Sequence, residues 1–498
     1  MNRTLPSWLL GLTLSGLPGL LSAQPFVDPA PPAVAEAPAE AATPDPVDVP
    51  GLTYHAAPKP LAPEAVTADW PRFLGPTDDA KSPETHLLER FPEGGPAKVW
   101  EMEKGNSYTT PVIVGGRLVF FHRLDDEEVI QCLDPETGKQ FWSHRYPVEY
   151  RDRYGFNNGP RASAVIAEGR VYTLGAASAL TCLDLATGAR LWQRQLAEEF
   201  ARLPYFFGHG CAPLVHGGKV IVPLGTSDGL SVAAFDAANG KLVWGTRHTW
   251  QAGYASPVVA NLRGAERLLV FAGDDSDPPA GGLLAIDPES GELLDAFPWR
   301  PDKYESVNGS TPVAVGGDRV FLSASYGKGS VMLRLNESLK WEELWRAEDF
   351  GLHWSTALLL DGHLYGFQGR NEPDAWLAAL SVETGGEVWR ADPEFTVPAP
   401  ATPGRARRRA EGRDYRMKYF RGSLLHADGR TWALGEFGTL GIFNLSSEGF
   451  EEADRTQLFL ARATWSLPVL HRGLLYIAQH EPDMAGHPPR LICYDLRR

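Results

Sequence analysis

The chain has 498 residues, among them 51 glycines, 41 prolines and 15 tryptophans, and a formal net charge of −15. This length exceeds that of one ordinary compact core but suits one large repeat domain with tails. An acidic balance argues against nucleic-acid binding, because that function needs a basic patch.

The first 23 residues are typical of an export signal. Arg3 gives a modestly positive start, residues 8–21 are apolar but interrupted by Gly and Pro, and Leu21-Ser-Ala23 resembles a cleavage site before Gln24. The apolar run is too short and broken for a membrane span, and no Cys near the cleavage point supports a lipid anchor. We therefore expect a periplasmic or extracellular protein, monomeric and without a transmembrane span after cleavage.

Residues 24–66 are rich in Ala, Pro and acidic side chains. Such a segment buries too little apolar surface to order itself, which predicts a disordered, extended linker. Residues 67–96 follow as an ordered lead-in that contains Asp69-Trp-Pro-Arg-Phe-Leu-Gly-Pro76, and a lone strand over Ala97 to Met102 comes next.

One hairpin pattern recurs along residues 97–498. In Cys182-Leu-Asp-Leu-Ala-Thr-Gly188-Ala-Arg-Leu-Trp192, the Asp side chain can bond its own backbone and the Gly supplies a positive φ, so two short strands meet at a tight turn. Related stretches end at Trp142, Trp244 and Trp389, and a worn copy ends at Trp345.

A second pattern alternates with this hairpin: an apolar strand, a Gly turn and another apolar strand. The aligned turn glycines are Gly116, Gly169, Gly218, Gly264, Gly317, Gly362, Gly429 and Gly473. These eight units hold about four short strands each, and no helical periodicity competes with them. The sequence therefore predicts an all-β protein, an eight-bladed β-propeller of four-stranded antiparallel blades.

The eighth unit ends at Asp495 without a Thr-Gly turn or an outer Trp strand. The lone strand over Ala97 to Met102 carries Trp100 and has no blade of its own, so we predict that it completes the last blade and closes the ring. The residues expected to pack between blades are Trp100, Trp142, Trp192, Trp244, Trp345 and Trp389.

The insertion at 391–417 has two possible interpretations. It contains the basic run Arg405 to Arg409, which is either a solvated loop or a docking site for an acidic partner.

The cysteines are expected to be unpaired. Cys132, Cys182 and Cys493 occupy one repeat position and should lie too far apart for disulfides. We expect buried free thiols there, and a packed Cys211.

Candidate ligand-binding residues lie where strands begin near the central channel: Asn158, Arg161, His209, Asn308 and Tyr326. They could bind a small ligand or simply form hydrogen bonds with neighbouring blades.

A weak candidate for a metal site is the loop that holds His480, Glu481, Asp483 and His487. Asp274 to Asp277 could hold calcium but lacks the Gly and distal Glu of an EF-hand. Neither Gly-x-Ser-x-Gly nor His-Glu-x-x-His occurs.

The Ala/Leu-x-Asp-x-x-Thr-Gly-x-x-x-Trp repeat resembles the tryptophan-docking motif of the PQQ-like eight-bladed propellers over residues 97–498. The lead-in Trp70 to Pro76 and the stretch Tyr254-Ala-Ser-Pro-Val resemble exported, BamB-like members of planctomycete type. The resemblance implies tryptophans that tie blades together. It also implies one of two functions: alcohol or glucose oxidation with pyrroloquinoline quinone and calcium, or partner binding in outer-membrane protein assembly without chemistry.

The family's alcohol dehydrogenases stack the quinone on a disulfide of adjacent cysteines, and this sequence has neither a Cys-Cys pair nor a Cys-x-x-Cys-His haem motif. We therefore expect a non-catalytic, exported scaffold that binds a protein or envelope partner and needs no cofactor. One alternative is a dehydrogenase for alcohols or aldoses with a reduced site that uses the quinone and calcium. Another is a propeller that binds carbohydrate or a small ligand.

Overall fold

The computed structural model describes residues 26–29, 31–34, 44–203, 205–273, 276–371, 374–399 and 414–498. The predicted signal peptide, Asp274 of the suggested calcium loop and the basic run Arg405 to Arg409 lie outside these residues. Eight antiparallel blades form the ring, seven with four strands and one in which a further strand joins the four, which confirms the all-β, eight-bladed propeller.

The strands follow one another around the ring, innermost strand first. Blade 1 has β3 (Val112–Val114), β4 (Arg117–Leu124), β5 (Glu127–Leu133) and β6 (Gln140–Pro147). Blade 2 has β7 (Val165–Ala167), β8 (Arg170–Leu174), β9 (Ala179–Asp184) and β10 (Arg190–Gln195), followed by the short helix α1 (Leu196–Glu199). Blade 3 has β11 (Leu214–His216), β12 (Lys219–Pro223), β13 (Leu230–Asp236) and β14 (Leu242–Arg247), and blade 4 has β15 (Val258–Leu262), β16 (Ala265–Ala272), β17 (Gly282–Ile286) and β18 (Leu293–Pro298).

The second half continues in the same way. Blade 5 has β19 (Val313–Gly316), β20 (Arg319–Ala324), β21 (Gly329–Leu335) and β22 (Trp341–Ala347), and blade 6 has β23 (Leu358–Leu360), β24 (His363–Gln368), β25 (Trp376–Ser381) and β26 (Glu387–Ala391). Blade 7 has β29 (Ser423–Ala427), β30 (Arg430–Leu434), β31 (Thr439–Ser446) and β32 (Gly449–Gln457). Blade 8 joins β33 (Val469–His471), β34 (Leu474–Gln479) and β35 (Arg490–Asp495) to β2 (Ala97–Glu103) and β1 (Leu52–Tyr54). Within the insertion, β27 (Phe395–Pro398) and β28 (Asp414–Met417) pair as a hairpin.

The first turn of every blade contains the glycine that the repeat predicts. All eight glycines have φ between 67° and 76°. The residue before each also has a positive φ, as at Asp428 (52°) before Gly429. Two successive positive φ values are the signature of a type I′ turn, whose twist matches that of the flanking strands.

The second hairpin turn is held by its aspartate. In blade 2, Asp184 Oδ1 accepts hydrogen bonds from the backbone N and the hydroxyl of Thr187, at 2.8 and 2.7 Å. Gly188 then packs against the indole of Trp142 in the preceding blade, and a Cβ there would lie 2.5 Å from that ring. Glycine is required both by this approach and by its φ of 73°.

Each of the six marked tryptophans contacts the next blade in the ring. Every indole N–H donates to a carbonyl oxygen in or beside the following Asp turn or its equivalent: Trp100 to Pro135 (2.8 Å), Trp142 to Leu185 (2.9 Å), Trp192 to Ala237 (3.1 Å), Trp244 to Pro288 (3.2 Å), Trp345 to Val382 (2.8 Å) and Trp389 to Ser446 (2.8 Å). The energetic weight of these contacts is a prediction taken up in the Discussion.

The N-terminal strand β2 closes the ring, as predicted. Trp100 stands opposite Cys493 in the register, as Trp192 stands opposite Cys182 in blade 2. All four cysteines are buried free thiols, and burial raises the pKa of Cys182 to about 12.

Part of the predicted linker differs from the expectation of disorder. Leu52–Tyr54 adds a fifth strand to blade 8 beside β2, and Val47 exchanges two backbone hydrogen bonds with Gln140 of blade 1, at 2.8 and 2.9 Å. The outer edges of β2 and β6 have backbone N–H and C=O groups without a partner strand in the four-stranded blade. The N-terminal segment forms hydrogen bonds with these groups through its own backbone, which does not depend on its side-chain composition.

The lead-in lies across the ring face that carries the first turns of the blades. Trp70, 0% exposed, exchanges backbone hydrogen bonds with Ile113 of blade 1, and Pro71 accepts one from Ile166 of blade 2. The Glu84 carboxylate accepts from the backbone N of Arg472 and of Gly473, both at 2.7 Å. Among the described residues, no helix is long and apolar enough to cross a membrane.

Candidate functional site

One position of the repeat places a residue from each of seven blades around the axis. It lies four residues before the innermost strand and is occupied by Tyr108, Arg161, Gly210, Tyr254, Gly309, Trp354 and Trp465. All seven line a central cavity of about 630 Å³. The cavity therefore arises from the repeat itself, because seven of the eight blades place the same repeat position at its wall.

Aromatic rings form much of the cavity wall. Tyr108 stacks on Trp465 with ring centroids 5.3 Å apart, and Trp465 lies 6.3 Å from Trp354. Across the cavity, Phe207 lies 5.7 Å from Tyr254. Such walls offer flat apolar faces on which a planar group can stack.

Three arginines line the same cavity: Arg161, Arg370 and Arg421. Glu305 is the one acidic side chain among the described lining residues. Guanidinium groups therefore outnumber carboxylates on the cavity wall, although the protein as a whole carries a net charge of −15.

Arg161 is fixed by buried acceptors. Its Nη2 donates to Asp152 Oδ2 at 2.6 Å and to the Asn157 carbonyl at 3.0 Å, and its Nη1 donates to the Gly159 carbonyl at 3.1 Å. The Asp152 side chain is 0% exposed. The guanidinium lies 5.6 Å from the ring centre of Tyr108, so its position is set before any ligand arrives.

Arg421 is held on the other side of the cavity by Glu436, which is 1% exposed. Arg421 Nε donates to Glu436 Oε2 at 3.1 Å, and the Trp465 indole donates to Oε1 at 2.7 Å. One buried carboxylate thus orients both a cation and an aromatic wall. Arg421 Nη1 also donates to the backbone carbonyl of Arg370 at 2.7 Å.

Tyr326 and His353 form a polar pair beside these arginines. The Tyr326 hydroxyl lies 2.9 Å from His353 Nε2, and Arg370 lies over the Tyr326 ring at 4.5 Å. Burial, and then the positive charges of Arg421 and Arg370, lower the pKa of His353 to about 3. The imidazole is therefore neutral at pH 7 and adds no positive charge to the cavity.

Two of the five predicted channel residues, Arg161 and Tyr326, line the cavity. The other three support its loops. Asn158 Oδ1 accepts from the backbone N of Asp152 at 2.8 Å, Asn308 Nδ2 donates to the Ala272 carbonyl at 2.7 Å, and His209 is 0% exposed within blade contacts.

The suggested metal loop does not assemble its four residues into one site. Asp483 is engaged by Arg490 Nη2 at 2.8 Å and by His487 Nδ1 at 2.9 Å, while His480 Nε2 faces the Ser466 hydroxyl. Burial holds the pKa of His480 well below its usual value. Within the described ranges, no group of three or more His, Cys, Asp and Glu side chains is arranged to hold a metal ion.

The sequence reasoning missed the aromatic walls and two of the three arginines. A signal was present: the position four residues before each innermost strand holds Tyr, Trp, Arg or Gly. Aligning the repeats at their first turn glycine would have brought this position to notice. Arg370 and Arg421 lie outside that position, so the alignment alone would not have found them.

Comparison with known protein sequences supports this assignment of the fold. A family described as "Outer membrane protein assembly factor BamB" matches residues 125–391. The BamB protein of Burkholderia pseudomallei is 26% identical over 329 residues, covering 64% of this chain and 74% of that protein. A quinoprotein ethanol dehydrogenase of Pseudomonas aeruginosa is 27% identical over 183 residues, but the match covers 28% of that enzyme's length.

Solved structures of both kinds share the fold. BamB from Moraxella catarrhalis superposes with a TM-score of 0.52 and 13% identity, covering 80% of this chain and 99% of that one. A europium-containing methanol dehydrogenase gives 0.58 and 10% identity, covering 86% and 98%. At these identities the likeness concerns the fold alone. With more than half of its length matched by the family model, the chain belongs to the PQQ-like β-propeller family described as outer membrane protein assembly factor BamB.

Proposed function

We propose that this protein is an exported, non-catalytic propeller that binds a segment of a partner protein in its central cavity. The observation that carries the proposal is the combination of aromatic walls with three arginines and one lining carboxylate. A segment that carries acidic and aromatic side chains complements this surface, because guanidinium groups pair with carboxylates in two-point geometry.

The buried carboxylates that hold two of the arginines in place favour ligand binding over a purely structural role for those arginines. Asp152 and Glu436 hold Arg161 and Arg421 in place from behind, so little side-chain entropy remains to be lost when a ligand binds. The guanidinium groups on the cavity wall also favour acidic partners, since the rest of this acidic protein offers carboxylates less attraction than these donors do.

A quinone-dependent oxidoreductase is the second candidate, and the same cavity favours it. Flat ring faces and guanidinium groups fit the planar, multiply carboxylated part of pyrroloquinoline quinone. The described residues do not assemble the oxygen ligands that calcium requires, since Glu305 is the one carboxylate lining the cavity. The residues present therefore fit the anionic plane of the cofactor but not its metal.

Calorimetric titration of the chain from Gln24 tests the proposal. The probes are the capped pentapeptide Glu-Glu-Trp-Glu-Glu and pyrroloquinoline quinone, the latter with and without calcium. Arg370→Ala removes an exposed cavity cation without touching a buried ion pair. Arg346→Ala, which removes an exposed cation on the outer strand β22, is the matched control.

We expect saturable peptide binding that weakens about tenfold in Arg370→Ala, the loss of one charge-assisted contact, and remains unchanged in Arg346→Ala. Calcium-dependent binding of the quinone, together with oxidation of an alcohol by the protein in the presence of an artificial electron acceptor, would favour the quinone-dependent oxidoreductase instead. Saturable binding of an oligosaccharide without turnover would favour a carbohydrate-binding propeller instead. If no probe binds, or Arg346→Ala weakens binding equally, the cavity is not the site.

A further inference from the structure

Residues 26–28 dock into a groove between blades 2 and 3, on the outside of the ring. Asp28 binds Arg194 with both carboxylate oxygens, at 2.6 and 3.1 Å, and also accepts the backbone N–H of Leu242 at 2.8 Å. Arg194 is a charged side chain with 0% of its side chain exposed, 166 residues along the chain from Asp28.

The groove holds Arg194 ready for an incoming carboxylate. Nε donates to Glu199 at 2.7 Å, Nη1 donates to the Gly240 carbonyl at 2.9 Å, and the guanidinium packs on the rings of Phe200 and Phe235, 5.1 and 5.0 Å from their centres. These contacts leave Nη2 and the second N–H of Nη1 to donate to the two carboxylate oxygens of Asp28. A buried cation with its donors arranged in this way is a built carboxylate site.

An aromatic subsite lies beside the carboxylate site. The Phe26 ring packs against Gly245, where an added Cβ would lie 2.5 Å from the ring, and the Arg247 guanidinium lies over the ring, 3.9 Å from its centre. Pro32 contacts the Gly240 turn further along.

The other blades lack this pair of features. Among the six blades with a marked outer tryptophan, the residue after it is Gly245 in blade 3 but Glu101, Ser143, Gln193, Arg346 or Arg390 in the others, and the second residue after it is an arginine, Arg194, only in blade 2. The subsite for the ring and the buried cation thus occur together at a single junction of the described ring, between blades 2 and 3.

We infer that this groove is a recognition site for a short segment with an aromatic residue two positions before an aspartate. In the structure the chain's own Phe26 and Asp28 occupy it, and a partner segment of the same chemistry would bind by displacing them. The site is separate from the central cavity, and the inference does not depend on the function proposed for that cavity.

A labelled peptide in trans tests the inference. The peptide has the sequence of residues 24–34, and its binding is followed by fluorescence anisotropy. The protein is the chain from Gln24 as wild type, as the double variant Phe26→Ala/Asp28→Ala, which empties the groove, and as the control Val27→Ala, whose side chain is 82% exposed. Hydrogen exchange at the Leu242 amide, which bonds to Asp28, reports occupancy independently.

We expect the peptide to bind the double variant at least tenfold more tightly than wild type or Val27→Ala, because a tethered segment competes at millimolar effective concentration. Binding should restore protection of the Leu242 amide. A peptide with Ala in place of the aspartate should bind at least tenfold more weakly.

The inference is overturned if the double variant shows no saturable binding up to about 1 mM peptide, or if the Ala peptide binds equally well. Asp28→Ala alone, a milder change that removes the acceptor of the Leu242 N–H, provides the same comparison of Leu242 exchange should the double variant lose its native circular dichroism. Unchanged protection of Leu242 in Asp28→Ala would also contradict the inference.

Discussion

Replacing Trp100 by alanine is expected to lower the free energy of unfolding by about 3–5 kcal/mol, the usual cost of truncating a packed aromatic side chain. Trp100 is 0% exposed and donates its indole N–H to Pro135 at 2.8 Å. It also packs on Gly138, where an added Cβ would lie 2.8 Å from its ring. It joins the last blade to the first, so its loss weakens the closure of the whole ring.

Alanine variants of two other tryptophans provide comparisons, because their expected losses in the free energy of unfolding, measured with urea, differ. Trp192→Ala should cost a similar amount, since Trp192 is 1% exposed and also contacts the next blade. Trp389→Ala should lower the free energy of unfolding by less. Trp389 stands at the same position of its blade, but its side chain is partly exposed. A loss below about 1 kcal/mol for Trp100 would contradict ring closure through this side chain.

Acidification between pH 6.5 and 4.5 is expected to destabilise the protein through three buried histidines: His122, His209 and His480. Burial lowers the pKa of His122 to about 3 and that of the other two well below the usual value. In this window the unfolded chain binds protons that the folded chain does not, so the free energy of unfolding falls as the pH falls. Each histidine contributes at most about 1.4 kcal/mol per pH unit.

His209 offers the clearest variant. One ring nitrogen lies 2.9 Å from the Pro223 carbonyl, to which it donates, and the other lies 3.1 Å from the Ser178 hydroxyl, from which it accepts. Protonation would remove that acceptor. His209→Gln should therefore reduce the loss of stability between pH 6.5 and 4.5 by roughly 2–3 kcal/mol, whatever its cost at neutral pH.

Ser178→Ala is the matched control, because it removes the partner hydroxyl but leaves the titrating ring. It should lower stability at every pH and keep the wild-type pH dependence. Partly buried carboxyls such as Asp78, whose pKa is raised to about 6 chiefly by desolvation, act in the opposite direction, so the comparison is between variants rather than between absolute curves. Parallel curves for His209→Gln and wild type would refute the prediction.

The repeat made most of the ring predictable. Gly188 and its equivalents mark turns whose positive φ favours glycine, and the missing outer strand of the eighth unit matched the spare strand that carries Trp100. These are local rules, since a turn and its two strands are close in sequence, and eight copies of one rule reinforce each other.

The candidate site was less predictable, for a reason that particular residues illustrate. Asn158 and Asn308 are polar and near the axis, yet they support loops, whereas Trp354 and Trp465 look like core residues and line the cavity. Side-chain direction at a loop depends on contacts with neighbouring blades, and composition does not report those contacts.

The sequence by itself determined the repeat, the number of blades, the turns and the closing strand, because hydrophobic alternation and glycine turns act over a few residues. Only the tertiary structure decided which side chains meet at the axis and that Asp28 meets Arg194, 166 residues away. Such pairs depend on how blades stack and how the N-terminal segment crosses them. Packing between segments far apart in the sequence decides which acidic residue pairs with which basic residue, a choice that the sequence alone does not indicate.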